Sequence, residues 1–124
     1  MALTEAKKNE WVKTLRELEL LGAEESFEGH TAGDYWVFTC QTRGNLFFAN
    51  DKMIFISGWG VERIVIPYTN IRAMKKCFIG PFIPTGIKIT ALNEKGKEKK
   101  YKFSVMKRKH WIEFISEKSG VVCK

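Results

Sequence analysis

The sequence predicts an α+β domain in which a run of antiparallel strands is framed by two amphipathic helices. Three observations carry that expectation. Residues 44–71, GNLFFANDKMIFISGWGVERIVIPYTNI, hold three short apolar segments separated by turn residues. Two later segments alternate apolar with polar positions, the period of a half-buried strand. At both ends of the chain the period changes to that of a helix, and the order helix, strands, helix excludes a wound parallel sheet, which needs helices between its strands.

Taken in order, the first element is a helix that Thr4 can cap. Trp11, Leu15 and Leu18 form an i, i+4, i+7 stripe, Val12 widens it, and Gly22 is placed to end it. In the strand region Leu46 and Phe48 share a parity, Asn50-Asp51 supplies a turn, Met53 and Phe55 resume the alternation, and Gly58-Trp59-Gly60 breaks it before Ile64 and Ile66. Residues 77–84, CFIGPFIP, read as a loop, because two prolines and a glycine interrupt regular structure; it carries the large apolar Phe78, Ile79, Phe82 and Ile83. Ile87 and Ile89, then Tyr101 and Phe103, form two more strands with polar or charged neighbours. Each strand is therefore expected to have one wet and one dry face. The last element is a helix from Met106 to Lys118 with Trp111, Ile112, Phe114 and Ile115 at helical spacing, stopped by Ser119-Gly120.

These segments also resemble a known family. Glu25-Ser26-Phe27-Glu28-Gly29 followed by GNLFFANDKMIF looks like the start of a GRAM domain, a pleckstrin-homology-like module also seen in small bacterial proteins. Ile66-Pro67-Tyr68-Thr69-Asn70-Ile71, Gly86-Ile87-Lys88-Ile89, Tyr101-Lys102-Phe103 and Trp111 resemble that family's later strands and closing helix. Ala49, Lys52 and Asn70 depart from its usual threonine, arginine and aspartate. The resemblance implies a partly open seven-stranded barrel capped by the C-terminal helix. The organisation is then an extra N-terminal helix over 1–23 packed on the domain, a GRAM-like domain over 24–118, and a tail over 119–124.

Composition fits one domain: 124 residues, 44% hydrophobic, with no linker, repeat or low-complexity stretch. No apolar run approaches the roughly 18 residues that a spanning helix needs, and the N-terminus lacks a signal-peptide h-region, so a cytoplasmic protein is expected, with peripheral membrane association as its only membrane contact. Cys40, Cys77 and Cys123 are odd in number and lack metal-ligand spacing, so neither a disulfide framework nor a zinc site is expected. The net charge of +7 is unevenly spread: residues 1–62 carry −4 and residues 63–124 carry +11. Three groups hold the positive charge: Lys75-Lys76, the hairpin lysines 95, 97, 99, 100 and 102, and Lys107-Arg108-Lys109 at the start of the last helix. Charge on wet strand faces keeps a domain soluble. Three cations in a helix's first turn oppose its dipole, however, each by roughly 0.3 to 1 kcal/mol at low salt, so local stability does not account for them.

The candidate site residues follow. Lys107, Arg108 and Lys109, supported by Lys100 and Lys102, are candidates for an anion such as a lipid headgroup, and charge reversal at Lys107 and Arg108 is expected to abolish any anionic-lipid binding while leaving the melting temperature nearly unchanged. Phe78, Ile79, Phe82 and Ile83 are candidates for an apolar wedge, the alternative being that they fold back on the barrel. A non-enzymatic binding module is the expected function. A protein-interaction or adaptor role ranks first, through a groove between a sheet edge and the last helix. Anionic membrane binding ranks second, although the first hairpin, His30 to Trp36, lacks the basic residues of the usual phosphoinositide motif. Nonspecific nucleic-acid binding ranks third, because most aromatics are assigned to dry faces. An enzyme ranks last: His30 and His110 have no evident partner carboxylate or nucleophile, no catalytic or phosphate-binding motif occurs, and no cofactor is expected. The N-terminal stripe has to be buried on its own barrel or on a second copy, and its own barrel is the expected place.

Overall fold

Thr4 opens the first helix, its Oγ1 accepting the backbone N–H of Lys7 at 3.2 Å. In the computed structural model, which describes residues 4–37, 40–58, 62–79 and 83–123, this helix is α1, Glu5–Glu17. It stops earlier than Gly22. Leu18 caps it, and Glu19 takes the left-handed region at φ 61. The N–H groups of Leu20 and Leu21 then return to the carbonyl of Leu15, at 2.9 and 3.3 Å, which drops Leu21 into the same apolar cluster as Leu15. Burial of one more leucine thus outweighs continuation of the helix. Gly22 instead opens a turn closed by Glu25, whose Oε1 accepts the Gly22 N–H at 2.7 Å.

Seven strands follow: β1 Phe27–Val37, β2 Cys40–Ala49, β3 Lys52–Ser57, β4 Arg63–Pro67, β5 Ile71–Ile79, β6 Ile83–Leu92 and β7 Glu98–Val105, with a 3-10 turn at Tyr68–Asn70. All strand pairings are antiparallel, and the order across the sheet is β4-β3-β2-β1-β7-β6-β5. The central break at Gly58-Trp59-Gly60 falls where β3 ends; Trp59 and Gly60 lie outside the described residues. The final helix, α2, is Arg108–Ser119, ended by Gly120 at φ 74.

The sheet wraps around one core. Tyr35, Leu46, Phe48, Met53, Phe55, Ile64, Ile66, Met74, Ile89 and Phe103 point inward from all seven strands, and Trp111, Ile112 and Ile115 of α2 close one mouth. Trp111 stacks on Phe48 with centroids 4.5 Å apart and planes 9° from parallel. Glycine at position 29 is required there, since a Cβ would stand 2.8 Å from the Trp111 ring. This is the predicted fold class: a seven-stranded antiparallel open sheet with a C-terminal and an N-terminal helix.

One expectation fails. Residues 46–49 of β2 and 53–57 of β3 have no wet face. Phe47, Ala49, Ile54 and Ile56, on the outer side, are buried beneath Val12 and Leu15 of α1 and Leu21 and Phe27 beyond it. The two segments LFFA and MIFIS are therefore buried on both sides, which is why they read as continuous apolar runs. The stripe of α1 is covered by its own sheet. Glu25 ties this layer down, its carboxylate 3.3 Å from Lys52 Nζ and its carbonyl accepting from the Arg16 guanidinium at 2.9 Å. The Gly22 N–H, then Lys52, hold the Glu25 carboxyl below the usual carboxylate range.

Candidate functional site

The segment expected to be a loop is a hairpin tip. β5 runs to Ile79 and β6 begins at Ile83, so only residues 80–82 are left between them; Phe82 lies outside the described residues. Pro84 is accommodated because it falls outside both registers: β7 pairs with β6 only from Gly86 onward, and the pairing with β5 skips from Ile83 to Gly86. The pairing shifts between Cys77 and Ile79, and the shift parts the apolar side chains. Ile79 turns inward and is 5% exposed, whereas Phe78 and Ile83 remain 59% and 55% exposed. Of the candidate wedge, then, Ile79 folds back and Phe78 and Ile83 face outward.

Arg108 brings this tip to the start of α2. Its Nη1 donates to the carbonyl of Cys77 at 3.2 Å and lies 3.5 Å from that of Gly86, one carbonyl on each strand at the neck of the hairpin. Arg108 therefore has a structural task that the sequence did not reveal, and with these bonds lost its charge reversal is expected to lower the melting temperature rather than leave it nearly unchanged. The residues just before it are open: Met106 is 75% exposed, and Lys107, the N-cap, adopts φ 56 without a capping side chain. Lys76, Lys107 and Lys109 are exposed around this end of the sheet. The five candidate cations do not form one cluster. Lys107 and Lys109 are exposed on either side of Arg108, which holds the tip, and Lys100 and Lys102 stand on the outer face of β7 opposite Thr90 and Lys88.

Beside Lys107 a cavity of about 750 Å³ opens where the first half of β1 has parted from β7, which pairs only with Gly33 to Trp36. Lys8 of α1, Phe27, His30 and Thr31 of β1, and Lys107, His110 and Trp111 line it. His30 Nε2 is 2.8 Å from Asn45 Oδ1 and its ring packs on Phe47, while His110 lies edge-on to Trp111. Among the described residues no group of three His, Cys, Asp or Glu side chains is placed to hold a metal ion, and no helix is long and apolar enough to cross a membrane.

The groove expected between a sheet edge and the last helix is partly filled by the chain itself. Cys123 forms a parallel bridge with Met74 on the free edge of β5, and Val121 and Cys123 pack against the core. Phenol groups line the interior rather than any opening: Tyr68 donates to the carbonyl of Ala49 at 2.9 Å, and burial pushes its pKa well above the ordinary tyrosine range.

No family model and no curated protein matches the chain. Solved structures do. The C-terminal domain of an unknown protein from Leishmania infantum superposes with a TM-score of 0.71 at 13% identity, covering 91% of this chain and 97% of that one. The hSac2 domain from human phosphoinositide phosphatase Sac2 gives 0.62 at 9% identity, covering 99% and 92%. The DH/PH domains of PDZ-RhoGEF, solved in complex with GTP-gamma-S activated RhoA, give 0.65 at 9% identity over 94% of this chain but only 35% of that one. At such identities the likeness shows the fold, and the fold is pleckstrin-homology-like.

Proposed function

We propose that this chain is a GRAM-type binding module that works by recognition and not by chemistry, docking on the anionic surface of a cytoplasmic membrane through the β5–β6 tip and the start of α2. One observation carries the reading: Arg108 fastens an exposed apolar tip, Phe78 and Ile83, to a helix start that presents Met106, Lys107 and Lys109. Neither part suffices alone. At about 1 kcal/mol per cation near an anionic leaflet, Lys76, Lys107 and Lys109 give about 3 kcal/mol, weaker than millimolar. Full burial of a large apolar side chain is worth about 1.5 to 3 kcal/mol, so inserting the exposed parts of Phe78, Ile83 and Met106 adds roughly 3 to 6 kcal/mol. Together they reach affinities between tens of micromolar and just below one micromolar. A neighbour in fold that belongs to a phosphoinositide phosphatase is in keeping with this reading.

The test is co-sedimentation with neutral and anionic vesicles at low and near-physiological salt. Retention on anionic vesicles at the higher salt is expected, and both Phe78→Ser with Ile83→Ser and Lys107→Glu with Lys109→Glu should abolish it. Retention unchanged by either pair would refute the reading. A protein partner is the second reading, supported by fold neighbours solved with RhoA and by the same exposed tip. It predicts no vesicle binding and a partner whose capture needs Phe78.

A further inference from the structure

Lys75, Lys88 and Lys102 stand directly opposite one another on β5, β6 and β7, and Trp36 on β1 completes the row. Their chain neighbours Met74, Ile87, Ile89, Tyr101, Phe103 and Tyr35 point into the core, so all four side chains project from the outer face of the sheet. Strands lie about 4.8 Å apart, which sets the three lysines on a line roughly 10 Å long. Like charges directly opposite destabilise a sheet. Among the described residues no carboxylate relieves them: the acidic ion-pair partners serve Lys7, Lys52 and Lys118, and Asp34, one row away on the same face, accepts the side-chain amide of Gln41. Lys100, opposite Thr90 in the next row, adds a further cation.

We propose that this face binds single-stranded nucleic acid, the lysines neutralising successive phosphates and the indole of Trp36 receiving a base. Shape and chemistry both favour that occupant. The sheet encloses its core, so its outer face is convex, with neighbouring strands of a seven-stranded barrel turned by roughly 50°. A flat bilayer tangent at β6 falls away from Lys75 and Lys102, and a duplex is too stiff to follow the curve. A flexible single strand can wrap it. Trp36 Nε1 donates to Ser104 Oγ at 3.0 Å, a diagonal bond that holds the half-buried ring against β7 beside Lys102 and leaves part of it open to solvent. Cations that track a backbone next to an aromatic ring are the combination by which single strands are held without sequence preference.

The proposal is tested with the full chain and a labelled oligothymidylate of about a dozen nucleotides, by fluorescence anisotropy between about 50 and 200 mM salt. Three neutralised phosphates predict a log–log slope near −2, falling by roughly 0.7 for each of Lys75→Gln, Lys88→Gln and Lys102→Gln. Trp36→Leu should weaken binding roughly five- to a hundred-fold with the slope unchanged. The lysine variants should melt no lower than the parent, because each relieves repulsion, and that separates lost binding from lost folding. No binding at low salt, or binding that these lysine changes leave intact, overturns the proposal. So does a triple lysine variant that loses retention on anionic vesicles while holding the oligonucleotide, since the face would then serve the bilayer. Loss of vesicle docking in the Phe78 and Ile83 variants with oligonucleotide binding intact keeps this inference and the membrane reading apart.

Discussion

Truncation of Leu15 to alanine asks whether α1 belongs to its own domain. Leu15 is 0% exposed, and it lies in a cluster with Val12, Leu21, Phe27, Phe47, Ala49, Ile54 and Ile56, between the helix and the outer face of β2–β3. Leu→Ala at such sites costs about 2 to 5 kcal/mol, the range reflecting how far the site collapses. The backbone around Leu15 is fixed by two N–H groups converging on its carbonyl, which limits collapse, so about 3 kcal/mol is expected. With an unfolding entropy of about 2.1 cal/mol/K per residue over this chain, that loss lowers the melting temperature by about 10 °C. Lys13→Ala, exposed on the same helix, serves as the control and should shift it by no more than about 2 °C. Thermal melting followed by circular dichroism, at two protein concentrations about tenfold apart, decides the matter. Equal melting temperatures at both concentrations accompany packing on the helix's own sheet. A melting temperature that rises with concentration, or a Leu15→Ala shift no larger than the control's, would refute the packing described here.

Arg108→Ala should lower stability by about 1 to 2 kcal/mol, the cost of a partly buried charged donor lost from two carbonyls, and should speed amide exchange at the β5–β6 neck, whereas Lys107→Ala should leave both unchanged; exchange mass spectrometry and melting distinguish them. The lowered pKa of Glu25 gives a contribution to stability that is present above the unfolded carboxylate value of about 4.3 and is lost as pH falls through the folded value. The stability difference between the parent and Glu25→Gln, measured by urea unfolding, should therefore be largest at neutral pH and vanish in acid.

Where one residue type has one physical use, the sequence was readable. Thr4 caps, Gly120 stops a helix, and Trp111 lies on the apolar stripe that closes the barrel mouth. Two-residue alternation located β2, β3, β4, β6 and β7, but burial on both faces of β2 and β3 could not be read from alternation, since it depends on where α1 returns. The end of α1 was misplaced because Gly22 is the stop signal the sequence offers, whereas Glu19, an ordinary helix former, takes the left-handed turn where Leu21 is buried. The candidate site divides in the same way. Exposed Phe78 and buried Ile79 are adjacent in sequence and parted by a register shift that carries no local signature. The lysine row is invisible along the chain, because Lys75, Lys88 and Lys102 become neighbours only through the register of three strands.

The same folding explains why the outer face of β5–β7 is basic. In the acidic first half α1 lies on β2 and β3, with Glu25 and Asp51 answering Lys52, and the solvent side of the helix carries Glu5, Glu10 and Glu17. The tail bridges the β5 edge at Met74, and α2 closes the barrel mouth. The outer face of β5–β7 and the residues flanking its hairpin tip come from the half of the chain with net charge +11. Lys76, a cation of the docking surface, follows Lys75 directly on β5, about 3.3 Å along the strand. That lies within the screening length of about 8 Å at physiological salt, so a polyanion on the lysine row and an anionic surface at the tip would repel each other there. At about 0.01 M salt the screening length grows to about 30 Å, and the competition between the two anions would sharpen.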